Sequence, residues 1–266
     1  MKKHQLQMLS PIDGRYAEKC TAIRELFSEA SLIHYRIITE IRWLQFLARE
    51  REISHISSIS ETMNHAMEKI IDDFSLDDAI EVKKIESKIN HDVKAVEYFL
   101  QNKLSKIPGG SDYVSSIHFA CTSEDINNIS YAMMIRDTVL VIRSSLDEIR
   151  LKLRANSHQW CDAAMLSHTH GQPATPTTMG KEFANFLDRL EQQIGLLDKM
   201  EFKAKMNGAV GNFNAHRIAY PNADWPQISK TFIQNMGLKQ SVYTTQIEPH
   251  DWMAELLHCF IRINNI

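Results

Sequence analysis

Apolar residues recur at helical spacing along most of this chain. Within residues 21–51 they stand three and four positions apart, at Ile33, Ile37, Ile41, Leu44 and Leu47. This spacing places them on one stripe of a helix. The same pattern predicts helices over residues 60–74 and 77–88, and a further helix that begins near residue 92 and passes residue 104.

Two longer helical stretches follow in the second half of the chain. One begins at Thr122 or Ser123 and continues to about residue 159 without Pro or Gly, far beyond the mean helix length of about 12 residues. The other covers residues 178–206, and shorter helices are predicted after it. No strand-like alternation of any length competes with these helices, so we expect an all-α fold built as a bundle.

The clearest break in the helical pattern is the stretch from Ile107 to Ser111, which contains one proline and two glycines. We place a domain boundary there. The sequence thus predicts an N-terminal helical domain over residues 1–111 and a central helical-bundle domain over residues 112–266.

Charge and cysteine usage exclude several classes of partner. The chain has 266 residues and a formal net charge of -3, so it offers no general surface for nucleic acid or membranes. Its four cysteines are scattered, which favours a reducing compartment. The first residues lack the apolar segment of a secretory signal, and no apolar run approaches the ~20 residues needed to span a bilayer. We expect a cytoplasmic protein.

Residues 166–178 contain the most suggestive chemistry. His168 and His170 stand two residues apart and are followed by Gly171, Pro173 and Pro176. The glycine and prolines exclude a regular helix, so we expect a shaped loop between long helices. Histidine suits proton transfer near neutral pH. The alternative is a hydrogen-bonded turn or an incidental metal contact.

Two other segments carry groups suited to anions. Arg15 has a planar donor fork beside the Tyr16 hydroxyl, and together they suit a phosphate; the alternative is an exposed arginine next to a packed tyrosine. Thr122 and Ser123 start the long helix, where free backbone N–H groups suit a carboxylate. A simple helix cap accounts for one of their hydroxyls but not for both.

A third segment reads Asn90-His91-Asp92 at the start of a predicted helix. Capping is the ordinary explanation for Asn90 and Asp92. We assign no capping role to His91, which could face either a site or solvent. Loops of this kind, meeting at the ends of a bundle, combine anion binders with a titratable histidine, which suits elimination or hydrolysis of an anionic substrate. The sequence does not support a metal hydrolase, because it contains no His-Glu-x-x-His motif and no acidic-histidine pair that would complete a set of metal ligands.

Several motifs also resemble a known family. They are Ser-Pro-Ile-Asp-Gly-Arg-Tyr, Asn-His-Asp-Val-Lys-Ala-Val-Glu, Thr-Ser-Glu-Asp-Ile-Asn-Asn, Thr-His-Gly-Gln-Pro-Ala-Thr-Pro and Thr-Gln-Ile-Glu-Pro-His-Asp. The chain from about Leu9 onward is similar to the adenylosuccinate lyase family of the fumarase/aspartase superfamily. The first and last of these motifs narrow the resemblance to the purine enzymes. The resemblance implies the first long helices of a superfamily-type bundle.

The resemblance also implies an activity and a set of roles. The reaction would be β-elimination of fumarate from adenylosuccinate, giving AMP, and from the succinylcarboxamide ribotide SAICAR, giving AICAR. No metal or other cofactor is implied, and the implied assembly is a homotetramer whose active sites are shared between subunits. The implied roles are His170 as general acid, Arg15 and Tyr16 on the phosphate, Asn90, His91 and Asp92 along the nucleotide with His91 assisting orientation for catalysis, Thr122 and Ser123 on a succinyl carboxylate, and Gln246 on the succinyl or base portion.

Two departures from the family pattern matter. His168 stands where the family commonly has arginine. The family's general base is a serine on a loop reading Ser-Ser-x-Met-Pro-x-Lys-x-Asn-Pro, and no such stretch occurs up to Ile266. We therefore expect an N-terminal portion that is inactive alone and tends to self-associate. The alternatives are another fumarate-releasing lyase, such as one acting on argininosuccinate, and a non-catalytic helical assembly module.

Overall fold

A computed structural model describes residues 8–266 of the chain. The N-terminal stretch judged to lack a secretory signal, residues 1–7, lies outside the described residues. The chain falls into two compact units: the first comprises residues up to Thr138 and Phe202–Pro249, and the second comprises Val139–Glu201 and His250–Ile266. The predicted boundary near residue 111 lies within the first unit, and the predicted domain division stays a prediction.

Helices dominate both units, which confirms the predicted helical fold class. In chain order the elements are α1 (Thr21–Phe27), α2 (Glu29–Leu47), α3 (Glu61–Asp72), α4 (Leu76–Ile89), α5 (Asp92–Leu104), α6 (Ser123–Gln159), β1 (Ala164–Thr169), β2 (Gln172–Thr178), α7 (Met179–Leu197), β3 (Lys203–Ala204), α8 (Asn214–Ala219), α9 (Trp225–Asn235), β4 (Lys239–Gln240) and α10 (Asp251–Asn264). Short 3-10 helices occupy Ala17–Cys20 and Gly110–Ser116. Among residues 8–266, no helix has both the length and the apolar composition that crossing a bilayer requires.

The core of the first unit forms around α2. All five residues of its predicted apolar stripe are buried, none more than 2% exposed. They pack in the same unit as Met63 and Met67 of α3 and the apolar face of α5, which are also buried. Burial of this stripe follows from its spacing, because residues three and four apart share one face of a helix.

Two predicted helices differ from those observed. The stretch over residues 21–51 is divided at Ser28, whose backbone is extended and whose hydroxyl accepts the N–H of Ser31 at 3.3 Å. The stretch over residues 178–206 stops at Leu197. Beyond it, the side chain of Asn128 binds both backbone groups of Lys205, accepting its N–H at 2.8 Å and donating to its C=O at 3.2 Å. A side-chain amide thus replaces the helical partners of this residue.

His216 on α8 is a buried titratable group with no polar partner among residues 8–266. It is fully buried, and among the described residues neither of its ring nitrogens has a hydrogen-bond partner. Its ring instead meets those of Trp225 and Phe213, edge-on, at 4.7 Å and 5.5 Å between centroids. Burial lowers the pKa of His216 to about 4, with a smaller opposing effect from the charge of Asp125.

This burial predicts acid lability. The unfolded chain takes up the proton near the ordinary pKa of 6.5 and the folded chain only near 4. Stability contributed by neutral His216 is therefore complete above pH 6.5 and is lost as the pH falls towards 4, by about 3 kcal/mol in total. Urea unfolding of the chain between pH 7 and 4 measures this loss. His216→Phe should flatten the profile, whereas the control His65→Phe, at an exposed site on α3, should leave it unchanged. Equal profiles for both variants would contradict the assignment.

Candidate functional site

The N-terminus of α6 presents two hydroxyls that helix capping does not use. The backbone N–H of Thr122 donates to Oδ2 of Asp125 at 2.9 Å, so the cap comes from a carboxylate inside the first turn. Thr122 and Ser123 are half-buried, and within residues 8–266 the Thr122 hydroxyl makes no hydrogen bond. Both hydroxyls therefore remain available beside the positive end of a 37-residue helix.

His91 caps α5, which corrects the prediction that it has no capping role. Its Nδ1 accepts the N–H of Lys94 at 3.1 Å. A ring nitrogen that accepts an N–H carries no proton, so the neutral imidazole bears its proton on Nε2. Nε2 lies 3.5 Å from Oγ of Ser123. The structure thus brings His91 and Ser123 together, with a donor of His91 directed at the start of α6.

Asn90 and Asp92 have distinct roles on either side of this cap. Asn90 ends α4 in the left-handed conformation, with φ of 54°, which asparagine adopts more readily than most residues. Asp92 is the first residue of α5, and its Oδ2 lies 2.6 Å from Nη2 of buried Arg36. Partial burial raises the pKa of Asp92, but the charge and hydrogen bond of Arg36, with backbone N–H groups, outweigh it and lower the pKa. Asp92 is thereby held as an ionised anchor.

These three residues open onto a cleft of about 650 Å³. Its other lining residues are Glu29, Leu32, Arg36, Lys83, Glu86, Ser87 and Tyr131. Its lining contains both acidic and basic groups, so it suits a polar ligand that carries hydrogen-bond donors and acceptors.

Arg15 and Tyr16 lie just before the first 3-10 helix. Both are exposed, and the guanidinium carbon of Arg15 is 5.0 Å from the Tyr16 ring centroid. This cation–π contact pairs the two side chains. No hydrogen bond or ion pair among the described residues joins either to the other candidate residues.

Gln246 is exposed on a loop that the start of α6 helps to hold. The N–H of Glu248 approaches Oε1 of Glu124 at 3.4 Å, and Oε1 of Glu248 accepts the Ser241 hydroxyl at 2.6 Å. On the other side of Gln246, the Thr244 hydroxyl accepts from Nδ2 of Asn207 at 2.8 Å. The loop that carries Gln246 is thus attached on both sides.

A fully buried ion pair lies at the start of α6, and sequence reasoning missed it. Nζ of Lys205 lies 2.9 Å from Oδ1 of Asp125, and both side chains are 0% exposed. Besides the Thr122 N–H, the carboxylate accepts the N–H groups of Asn207 and Gly208, each at 3.1 Å. The Thr-x-x-Asp spacing signals a capping carboxylate. No local pattern signals its partner, 80 positions away in the chain.

His170 belongs to the second unit, where β1 and β2 form an antiparallel hairpin. Thr169 pairs with Gln172, so His170 and Gly171 are the two turn residues, with φ of 50° and 75°. Positive φ at both positions defines a type I′ turn. His168 lies within β1 and pairs with Pro173. Both imidazoles are exposed, but only His170 occupies the tip.

The predicted shaped loop is therefore a hairpin, which the sequence reading did not anticipate. Pro173 and Pro176 give no local signal of a strand, since proline cannot donate to a ladder. A two-stranded sheet consists only of edges, where proline is tolerated. The Ser167 hydroxyl also hydrogen-bonds the carbonyl of Thr175 across the hairpin.

Comparisons with known proteins show similarity to lyases. The sequence pattern of a family described as lyase matches residues 14–266. The chain is 48% identical to an adenylosuccinate lyase of Vibrio cholerae and 46% identical to that of Escherichia coli K12. In both cases all of this chain is covered and 59% of the relative, so the chain spans about three-fifths of the length of these curated relatives.

Solved structures show the same fold at low identity. A fumarate lyase from Mesorhizobium sp. BNC1 superposes with a TM-score of 0.70 at 17% identity, covering 91% of this chain and 54% of that one. A β-carboxy-cis,cis-muconate cycloisomerase from Acinetobacter calcoaceticus sp. ADP1 gives a TM-score of 0.72 at 17% identity, covering 90% and 53%. These two similarities concern architecture alone.

Proposed function

Because the chain belongs to the lyase family, we propose that it is part of an adenylosuccinate lyase. The proposed reaction is elimination of fumarate from adenylosuccinate, leaving AMP, and from SAICAR, leaving AICAR. The observation that carries the proposal is the contact between Nε2 of His91 and Oγ of Ser123 at the start of α6, 3.5 Å apart. The whole-chain identity to named adenylosuccinate lyases supports it.

The start of α6 is assigned to a carboxylate of the succinyl group. Elimination removes a proton from the carbon next to that carboxylate, and negative charge then spreads onto the carboxylate oxygens. Hydroxyls of Thr122 and Ser123, backbone N–H groups and the Nε2–H of His91 can all donate there. Such donors stabilise the charge that develops in the transition state. Since its Nδ1 already accepts from Lys94, we assign His91 to donate and orient, and not to remove the proton.

The bond between carbon and nitrogen breaks as fumarate forms, and the leaving nitrogen needs a proton. We assign this general-acid role to His170, whose exposed imidazole is at the tip of the hairpin. No residue of this chain is assigned as the base. By family resemblance that base is a serine on a loop that residues 1–266 do not contain.

The remaining residues are assigned to the nucleotide. Arg15 and Tyr16 present a cation and a hydroxyl together, which suits a phosphate. Asn90 lines the open cleft beside His91, and Asp92 keeps the start of α5 in place through Arg36. Gln246, on its tethered loop, is assigned to the succinyl or base portion.

A chimera provides the direct test. Residues 1–266 are joined to the C-terminal remainder of the V. cholerae relative, which this chain does not cover. We expect the chimera to release fumarate from adenylosuccinate and from SAICAR, measured by absorbance, and the 266-residue chain alone to release none. Release from argininosuccinate only, or turnover by the chain alone, would contradict the proposal. A chimera that folds but processes no substrate would favour a non-catalytic assembly module.

We further propose that the complete enzyme is a cytoplasmic homotetramer. The second unit exposes large apolar side chains on its helices, among them Phe186 on α7 at 43% and Leu257 and Ile261 on α10 at 60% and 55%. Exposed apolar side chains of this size support an association face on this unit. All four cysteines are free, which suits a reducing compartment. Sedimentation of the chimera measures the assembly, and a monomer would contradict it.

A further inference from the structure

A charged cluster lies inside the first unit, apart from the residues assigned to the substrate. Nδ1 of His118 is 2.6 Å from Oε1 of Glu40 on α2, and its Nε2 is 3.7 Å from Oε1 of Glu97 on α5. The side chain of Glu40 is 0% exposed, that of Glu97 is 6% and that of His118 is 15%. Carboxylates this deeply buried need compensating partners.

The cluster holds a segment that leads directly into Thr122 and Ser123. His118 and Ala120 both adopt the left-handed conformation, with φ of 60° and 59°, which costs free energy for residues other than glycine. Glu40 binds His118 through both carboxylate oxygens. Oε1 contacts the ring, and Oε2 accepts the backbone N–H of His118 at 3.1 Å. One residue further on, the C=O of Phe119 accepts from Trp43 at 3.0 Å.

The same cluster connects to the partner of Ser123. Glu97 lies on α5, the helix that His91 caps. His118 therefore touches α5 through Glu97, while its own segment carries Thr122 and Ser123 to the start of α6. His118 thus links α5, which His91 caps, to the segment that carries Ser123. This link is additional to the direct contact between His91 and Ser123.

With Glu40 ionised, the charges around His118 balance when the ring is protonated. Burial raises the pKa of Glu40, and the hydrogen bond and charge of His118 oppose this rise. Glu40 faces it from α2, and Glu97 and Lys94 face it from α5, with Nζ of Lys94 2.7 Å from Glu97. On its own segment, the thiol of Cys121 stays neutral, because burial raises its pKa well above the usual value. Burial alone would lower the pKa of His118, but the hydrogen bond and charge of Glu40, with the charge of Glu97, outweigh this and raise it.

We propose that His118, clamped between Glu40 and Glu97, is a positioning residue that fixes the turn at Thr122 and Ser123 against His91. The proposal rests on the function proposed for that turn as a carboxylate site. Because the pKa of His118 is raised, the clamp weakens as the pH rises above 6.5 and through the raised value. The proposal therefore predicts that the turn at Thr122 and Ser123 becomes less ordered at alkaline pH. Burial also raises the pKa of Glu40, so the clamp weakens again in acid, where Glu40 takes up a proton.

Hydrogen exchange measured by mass spectrometry on the 266-residue chain tests the clamp without any substrate. The variant is Glu40→Gln, which keeps shape but removes the charge. Peptides covering residues 117–123 should lose protection by about tenfold, while the interior of α6 stays unchanged. The control is Glu68→Gln on α3, which breaks a more exposed pair with Arg42 and should not affect these peptides. If Glu40→Gln unfolds the chain, Glu97→Gln, at the longer contact, replaces it.

The pH at which His118 titrates is a second measurement. A merely structural role for Glu40 would leave this pH unchanged. Exchange of the imidazole C2–H, followed by mass spectrometry, reports the pH at which His118 titrates. That midpoint should fall in Glu40→Gln, and the loss of protection at residues 117–123 should shift with it. An unchanged midpoint, or protection that does not follow the titration, would overturn the proposal.

Activity of the chimera separates this inference from the proposed function. Glu40→Gln should raise KM for adenylosuccinate about tenfold and move the alkaline rise in KM to lower pH. Unchanged KM in an active chimera would overturn the positioning role alone. An inactive chimera combined with the expected exchange behaviour would overturn the proposed function and leave the clamp standing.

Discussion

Replacing His170 with asparagine in the chimera is expected to lower kcat for fumarate release by about 10²- to 10⁴-fold, the usual contribution of a positioned acid. The leaving nitrogen would then lack its proton donor. Asparagine is the informative replacement because Asn-Gly is the favoured pair for a type I′ turn, so the backbone at 170 and 171 is preserved. KM should change little, since the variant removes an interaction made in the transition state.

The neighbouring imidazole supplies the control for this experiment. His168→Asn removes another exposed ring, on β1 and two residues before His170. We expect a much smaller effect on kcat, because His168 is not at the tip of the hairpin. His170→Ala should match His170→Asn unless the turn itself fails. If His170→Asn keeps a normal kcat, His170 is not the acid, and His168 and His91 become the residues to test.

Replacing Lys205 with methionine is expected to destabilise the chain by about 3–5 kcal/mol, the usual result of removing one partner of a buried ion pair. The Asp125 carboxyl group would lose its cationic partner at a position with no exposure to water. Its carboxylate also holds the N–H groups of Thr122, Asn207 and Gly208, so the disturbance should spread to the start of α6. Urea unfolding at pH 7 measures the difference.

The matched control is Lys83→Met on α4. Lys83 also pairs with carboxylates, Glu29 and Glu86, but its side chain is 46% exposed. Water screens such a pair, so the expected loss is below about 1 kcal/mol. A loss for Lys205→Met no larger than that of the control would show that the buried pair contributes little.

The helices of the first unit could be predicted because their signal is local. The stripe on α2 lies within fifteen residues, and burial of each member follows from its neighbours at three and four positions. The start of α6 was visible for the same reason, in Thr122, Ser123 and the acidic residues after them. Candidate residues at helix starts could be identified because the polar residues that mark a helix start are its neighbours in the sequence.

The features that escaped prediction depend on long-range partners or on uncommon local choices. The acceptor role of His91 depends on which ring nitrogen carries the proton, and the sequence does not specify this. Lys205 meets Asp125 across 80 positions, and His118 meets Glu40 across 78. The hairpin was hidden because Pro173 disfavours strands except at an edge. For Lys205 and His118 the deciding partner is set by tertiary structure.

The backbone at the hairpin tip also restricts which side chain can serve as an acid there. A left-handed φ of 50° at position 170 is accepted readily by few residues other than glycine, chiefly asparagine, aspartate and histidine. Asparagine has no acidic proton to give, and an exposed aspartate is already ionised at neutral pH. Of the residues that fit this turn, histidine alone both holds and releases a proton near pH 7. The turn geometry thus limits which side chains can act as an acid at position 170, whether or not substrate is bound.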